Sequence, residues 1–207
     1  MPWPYEPGSM VLPDEPAKAH LGGNIAGGDL LTQYPEMWRR IAGDLNVTSV
    51  LDIGCGDGAA MLEWREILGP GGTIHGVDGW HENVHLAKQS NLDVHEHDFA
   101  IGPYTTPRRE YDLGWCCEVL EHLTPVALTH AISVFTACKF LAVTHAMPGQ
   151  SGHHHVNCQL PRYWIRFFKD IGFICEPNLT LTARWLCPQR SYFFNTGLIF
   201  TRSPRAA

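Results

Sequence analysis

Residues 50–61 read VLDIGCGDGAAM: an apolar run meets Gly54, Gly56 and Gly58 at alternating positions and passes straight into a helix-like segment. The run has the length of a strand covered on both faces. Glycines so spaced turn the chain sharply and let main-chain N–H and C=O groups approach a ligand that a Cβ would push away. The stretch satisfies G-x-G-x-G and, with Ala59 in the last place, the relaxed G-x-G-x-x-A. A strand, a glycine bend and a helix open an α/β sheet, whose ligands sit beyond the carboxyl ends of the strands.

Outward from that unit, strands and helices alternate. LLTQYPEMWRRIAGDL (30–45) predicts a short helix opening at Pro35, with Met37, Trp38 and Ile41 facing inward. A helix over 58–68 follows the bend. A strand in TIHGVDG (73–79), a helix in HENVHLAKQ (81–89) and a strand in LDVHEHDF (92–99) come next. YDLGWCCEVLEHL (111–123) runs from a fourth strand into a loop, 125–137 predicts a helix, and KFLAVTHA (139–146) a fifth strand. A Gly- and His-rich loop at 148–158 leads to PRYWIRFFKDIGF (161–173), an amphipathic helix with Pro161 in its first turn. LTLTARWL (179–186) and FNTGLIFTRS (194–203) predict two closing strands. This alternation defines an α/β fold with a parallel sheet and helices on both faces. Residues 1–30, rich in proline and glycine, read as an irregular N-terminal segment, either a loose tail or a stretch folding over a ligand site. Residues 31–207 read as one domain.

The 207 residues carry a formal net charge of −6 with no dense Lys/Arg block, which argues against an extended nucleic-acid footprint. At 44% hydrophobic and 17% charged the chain reads as globular. Seven scattered cysteines without a C-x-x-C pair, and no charged segment leading into an apolar one at the N-terminus, predict a reduced, cytoplasmic protein. No apolar run approaches the ~20 residues of a membrane helix, so no membrane partner is expected.

Three aspartates say which ligand the bend serves. Asp52 sits two residues before the first glycine; its carboxylate would repel a pyrophosphate but attract the ammonium of a methionine. Asp78, in GVDGW, is placed to accept from two ribose hydroxyls. Asp98, in EHDF, can accept from an adenine amino group, with Phe99 beside it. VLDIGCGDG, GVDGW, HDF and YDLGWCCEVLEHL together resemble the ordered motifs of class I S-adenosylmethionine-dependent methyltransferases over roughly residues 35–200. That resemblance implies a Rossmann-like, seven-stranded, mostly parallel sheet with its last strand antiparallel. It further implies that Asp52, Gly54, Cys55 and Gly56 line the methionine part, that Asp78, Gly79 and Trp80 hold the ribose and flank the base, and that Asp98 and Phe99 hold the adenine. Cys117 and Glu118 would lie near the sulfonium, and Tyr34, after Gln33, would close over the cofactor.

The acceptor side rests on two stretches. In EVLEHL, Glu118, Glu121 and His122 would share one face if residues 118–122 form a first helical turn. Two carboxylates and an imidazole then suit a divalent cation, although such glutamates also serve simply as helix caps. SGHHHVNCQ (151–159) supplies His153, His154 and His155 from the loop after the fifth strand. E-x-x-E-H followed by a histidine-bearing loop resembles metal-dependent 2′-O-methyltransferases of small-RNA 3′ ends and ubiquinone-pathway phenol O-methyltransferases, although this chain lacks the proline-rich motif and basic platform of the former. The resemblance implies Mg²⁺ or Mn²⁺ on Glu118, Glu121, His122 and a loop histidine, taken as His154, with the ion lowering the acceptor hydroxyl's pKa. Without an ion, His122, His154 or His145 would act as general base. The expected activity is methylation of a hydroxyl on a small-molecule, sugar or nucleotide-like acceptor. Metal-independent N-methylation and non-catalytic S-adenosylmethionine binding are the alternatives. A dehydrogenase would need a second catalytic domain, for which fewer than 50 residues remain after the histidine loop.

Overall fold

A five-residue run without an alternating polar face must be covered on both sides. In the computed structural model, which describes residues 10, 12–25 and 29–204, Ser49–Ile53 forms β1, buried at every position. It lies between β2 (Thr73–Asp78) and β4 (Tyr111–Cys116), parallel to both. β3 (Val94–Glu96), β5 (Cys138–Val143), β6 (Phe173–Cys175) and β7 (Leu198–Arg202) complete seven strands in the order β3-β2-β1-β4-β5-β7-β6. Only β7 runs against its neighbours. The expected Rossmann-like, mostly parallel sheet with an antiparallel last strand is the sheet observed. Its order reverses between β1 and β4, which opens a crevice at their carboxyl ends.

Helices cover both faces. On one, Leu51, Ile53, Leu141 and Phe200 pack against α4 (Pro125–Thr136) and α5 (Pro161–Asp170) through Ala131, Phe135, Trp164 and Phe168. On the other, Val50, Leu113, Trp115 and Ile199 meet α1 (Pro35–Leu45), α2 (Ala59–Leu68) and two helices near the C-terminus, α6 (Pro177–Trp185) and α7 (Tyr192–Thr196). α3 (His81–Gln89) packs Val84 and Ala87 beside β3. Met37, Trp38 and Ile41 of α1 are fully buried, as their spacing predicts. All seven cysteines are unpaired, and no helix among the described residues is long and apolar enough to cross a membrane.

Several stretches differ from expectation, among them residues 194–196, which begin a predicted strand but belong to α7. LTLTARWL, predicted as a strand, is most of α6. Its Leu-Thr alternation mimics a period of two, but Pro177 starts a helix, and the positions that turn inward are Thr180 and Ala183, one helical turn apart. The Thr180 hydroxyl accepts the Ile199 N–H at 2.9 Å, tying α6 to β7. The sixth strand is instead Phe173–Cys175, hidden at the tail of a predicted helix; Gly172, at φ +94°, ends α5 and frees three residues to pair with β7. Likewise 118–122 is no helical turn: Glu118 sits at φ +56°, a 3₁₀ turn spans Leu120–His122, and Pro125 restarts the chain as α4. Of the N-terminal segment, residues 1–9, 11 and 26–28 lie outside the described residues.

Candidate active site

The crevice between β1 and β4 holds a cavity of about 630 Å³. The glycine bend, the residues that follow β2, β3 and β4, the histidine loop, and residues 20–25 and 29 of the N-terminal segment line it. Asp52, Gly54, Cys55, Gly56, Asp78, Gly79, Asp98, Phe99, Cys117 and Glu118 are brought to this one wall. Tyr34 and Trp80 are not. Tyr34 is core: its ring packs edge-on to Trp38 and Trp115, and its hydroxyl donates to the Leu31 carbonyl and accepts the Phe193 N–H. Trp80 is buried as the residue that opens α3, where its N–H donates to Asp78 Oδ1 at 2.9 Å.

Each member of the bend has a mechanical reason. Gly54 lies at φ +74°, donates its N–H to Val77 O at 2.8 Å, and would place a Cβ only 2.3 Å from Val119 Cγ2. Left-handed backbone costs a non-glycine residue about 1–2 kcal/mol, and forced overpacking about 1–3 kcal/mol more. Gly54→Ala is therefore expected to destabilise the fold by about 2–5 kcal/mol. Urea unfolding checks this; an unchanged midpoint would refute it.

Burial dominates the electrostatics. Asp52 is only 2% exposed, and its Oδ2 has no partner. Burial, helped by the nearby Asp78, pushes its carboxyl up to about 8. Asp78 is raised by burial as well. Its Oδ2 accepts the Gly56 N–H at 2.9 Å and its Oδ1 the Asn83 amide at 3.3 Å, so it braces the bend from across β2. Asp98 accepts the Ala100 N–H at 2.7 Å through Oδ1, while Oδ2 lies 2.8 Å from His20 Nε2.

Sequence reasoning missed that last contact and others from the N-terminal segment. Leu21 lies over Gly79, where an added Cβ would come within 2.6 Å of it. The Leu21 carbonyl lies 3.1 Å from His153 Nε2. Asn24 reaches Asn83 at 3.4 Å, and Asp29 accepts the Tyr192 hydroxyl at 3.0 Å. These partners stand 58 to 163 residues apart, so no local pattern marks them.

At the β4 end, the Glu118 N–H donates to Thr144 Oγ1 at 2.7 Å, and that hydroxyl donates back to Glu118 Oε1 at 2.8 Å. Burial lifts Glu118 to about 7. Glu121 is fully buried with neither carboxylate oxygen partnered; burial and the neighbouring Glu118 hold its carboxyl well up. His122 Nδ1 also lacks a partner. Burial, then the charges of His155, His153 and His154, bring His122 down to about 4, which makes it a neutral nitrogen donor but a poor base.

The histidine that joins Glu121 and His122 is His155, not His154: ligand atoms of the three lie within 4.8 Å of one another. The Glu121 carbonyl accepts both the Val156 and Asn157 N–H groups at 2.9 Å, which pins the loop there. His154, at φ +48°, turns instead toward His20, with ring centroids 6.1 Å apart, and leaves its Nε2 buried and unpartnered on the cavity wall. His145 is off the wall altogether, buried against Trp164, so its expected role as a base has no route to the cavity.

Residues 50–138 match the family model of a methyltransferase domain. Among solved structures, the chain is similar to human N-acetylserotonin methyltransferase in complex with S-adenosylmethionine, at 17% identity and TM-score 0.56 over 82% of this chain and 51% of that one. It is also similar to the methyltransferase domain of bacterial CtHen1-C (16%, TM-score 0.59, over 84% and 100%). The sugar N-methyltransferase KedS8 from Streptoalloteichus is a third (12%, TM-score 0.63, over 86% and 90%). This chain spans about half the length of the human enzyme. Among curated proteins none matches. The family match covers the glycine bend through the start of β5, and the fold of the described chain is the one these methyltransferase structures share.

Proposed function

We propose that this chain transfers a methyl group from S-adenosylmethionine to a hydroxyl of a small-molecule, sugar or nucleotide-like acceptor, with a divalent ion on Glu121, His122 and His155 orienting that hydroxyl. The observation that carries the metal-assisted reading is Glu121: its carboxyl is fully buried with only the Glu118 carboxyl against it, and its ligand oxygen lies within 4.8 Å of nitrogens of His122 and His155, with His122 Nδ1 unpartnered. Buried polar groups are normally satisfied, and an orphaned donor set of this kind fits a cation. One carboxylate and two imidazoles suit Mn²⁺ better than Mg²⁺, which prefers oxygen ligands.

The cofactor side fits in the same terms. Asp52 Oδ2 and Asn83 Oδ1 are buried acceptors awaiting donors, and a methionine ammonium and ribose hydroxyls are such donors. In this reading Asp78 takes the ribose, Asp98 with Phe99 the adenine, and His20 shares Asp98. Residues 20–25 then act as a cover that excludes water from the reacting centre. When bound, S-adenosylmethionine supplies an electrophilic methyl on a sulfonium; the protein's part is to align the acceptor and to take its proton. Glu118, held by Thr144 and titrating near neutrality, is placed to receive that proton. Metal-independent N-methylation is the second reading, favoured by Asp29 and Glu118 on the same wall, where an amine would be held.

Labelled S-adenosylmethionine incubated with pooled RNA, DNA, sugar and phenol acceptors, with and without EDTA, tests the proposal. Hydroxyl methylation lost in EDTA is expected; transfer untouched by EDTA would leave the N-methylation reading, and no transfer to any pool would leave only cofactor binding. A pH series tests Asp52 separately. Its carboxyl must ionise to meet an ammonium, so binding takes up no proton and releases one. Cofactor affinity is expected to rise from pH 6 to 7.5, approaching about tenfold per unit. Asp52→Asn should flatten the slope. Calorimetry in buffers of different ionisation enthalpy reads the released proton, and a flat wild-type profile would remove Asp52 from the ammonium site.

A further inference from the structure

Residues 20–24 touch two parts of the cavity wall that come from distant stretches of chain. Toward the strand ends of β2 and β3, His20 Nε2 lies 2.8 Å from Asp98 Oδ2, Leu21 closes over Gly79, and Asn24 accepts from the Asn83 amide at 3.4 Å. A ligand held at Asp78, Gly79 and Asp98 is therefore covered by this segment.

On the other side the partners come from the histidine loop. The Leu21 carbonyl accepts from His153 Nε2 at 3.1 Å. A carbonyl only accepts, so this contact places the imidazole proton on Nε2. The His153 ring also packs on Gly23, where an added Cβ would come within 3.1 Å of its Cδ2, and the His154 ring stands 6.1 Å from that of His20. Between these contacts the segment has little stiffness of its own: Gly22 and Gly23 lie in succession at φ +78° and +89°. Paired glycines in that region act as a hinge, because neither strongly prefers one conformation. The position of residues 20–24 is thus set from outside, by the strand ends on one side and by His153 on the other.

We infer that residues 20–24 form a strap over the bound cofactor, and that His153, through the Leu21 carbonyl, is the positioning residue that latches it from the acceptor side. Cofactor exchange then requires the latch to open, so the histidine loop governs how long the cofactor stays. The inference rests on the methyl-transfer reading for its cofactor and uses no metal ion.

Release of labelled S-adenosylhomocysteine from the full chain, chased with excess unlabelled compound in EDTA, tests it. His153→Phe keeps a ring on Gly23 but loses the donor, and is expected to release the ligand about fivefold faster than wild type, the worth of one hydrogen bond. His153→Gln, whose amide can still donate to the Leu21 carbonyl, should stay within about twofold of wild type. Gly23→Ala strains the strap and leaves the His153 donor in place; it should speed release at least about fivefold. Hydrogen exchange adds a readout that general loosening of the site would not give. With ligand bound, the amides of residues 20–24 should exchange faster in His153→Phe while those of β1 and α2 stay as slow as in wild type. Unchanged release in a folded His153→Phe protein, or His153→Gln releasing as fast as His153→Phe, overturns the inference. Should His153→Phe not fold, Gly23→Ala decides, and release at the wild-type rate overturns it. Failure of S-adenosylhomocysteine to bind the wild-type chain would instead strike the cofactor reading, and this inference with it.

Discussion

Asp78→Ala is expected to weaken S-adenosylhomocysteine binding by about 10² to 10⁴-fold while the protein stays folded. Two hydrogen bonds from ribose hydroxyls to a buried carboxylate are worth about 1.5–3 kcal/mol each, hence about 3–6 kcal/mol together, which is that range of affinity. The cost to the fold is smaller. Truncation strands the Gly56 and Trp80 N–H groups that Asp78 now satisfies, at about 1–3 kcal/mol for each amide left dry. It also removes a carboxylate whose ionised form burial disfavours, which offsets part of the loss. Calorimetric titration beside circular dichroism separates the two effects. Near wild-type affinity in a folded Asp78→Ala protein would contradict the ribose assignment.

The strand that precedes the glycines, the helix at 81–89 and the buried face of α1 are legible in the sequence because each is set by neighbours within one or two turns of chain. Apolar spacing and Pro35 suffice for α1. The glycine bend and the aspartates at the ends of β1, β2 and β3 are legible for a related reason: parallel βα units put every strand's carboxyl end on one edge. What is hidden depends on contacts across the fold. LTLT alternates like a strand, but the helix begun at Pro177 carries through it and Thr180 ties it to β7. Tyr34 sits next to the cavity-lining Gln33, yet its hydroxyl is claimed by Leu31 and Phe193, so the ring turns into the core. Three successive histidines cannot be ranked by sequence; the two amides that grip the Glu121 carbonyl decide that His155 faces Glu121 and His122 while His154 turns to His20. The pairing of His20 with Asp98 spans 78 residues and carries no periodic signal.

Those three histidines also make the metal reading decidable. With 1 mM Mn²⁺, wild-type protein is expected to gain about 2.7 kcal/mol of stability if the ion binds a hundredfold below that concentration, or about 5–10 °C in Tm for a chain of this size. Glu121→Gln should abolish the gain, since one ligand oxygen becomes an amide. In EDTA the same variant should melt no lower than wild type. Its native carboxyl is buried and held well up, chiefly by burial, so without the ion it is already neutral and a neutral amide of equal shape takes its place at little cost. This combination, no loss without metal and full loss of the metal response, is not what a helix-capping or packing role would give. His155→Ala should lose the Mn²⁺ shift and His154→Ala should keep it. A shift kept in His155→Ala but lost in His154→Ala would restore the ligand expected from sequence, and an identical Mn²⁺ response in wild type and Glu121→Gln would leave these residues without a metal to hold.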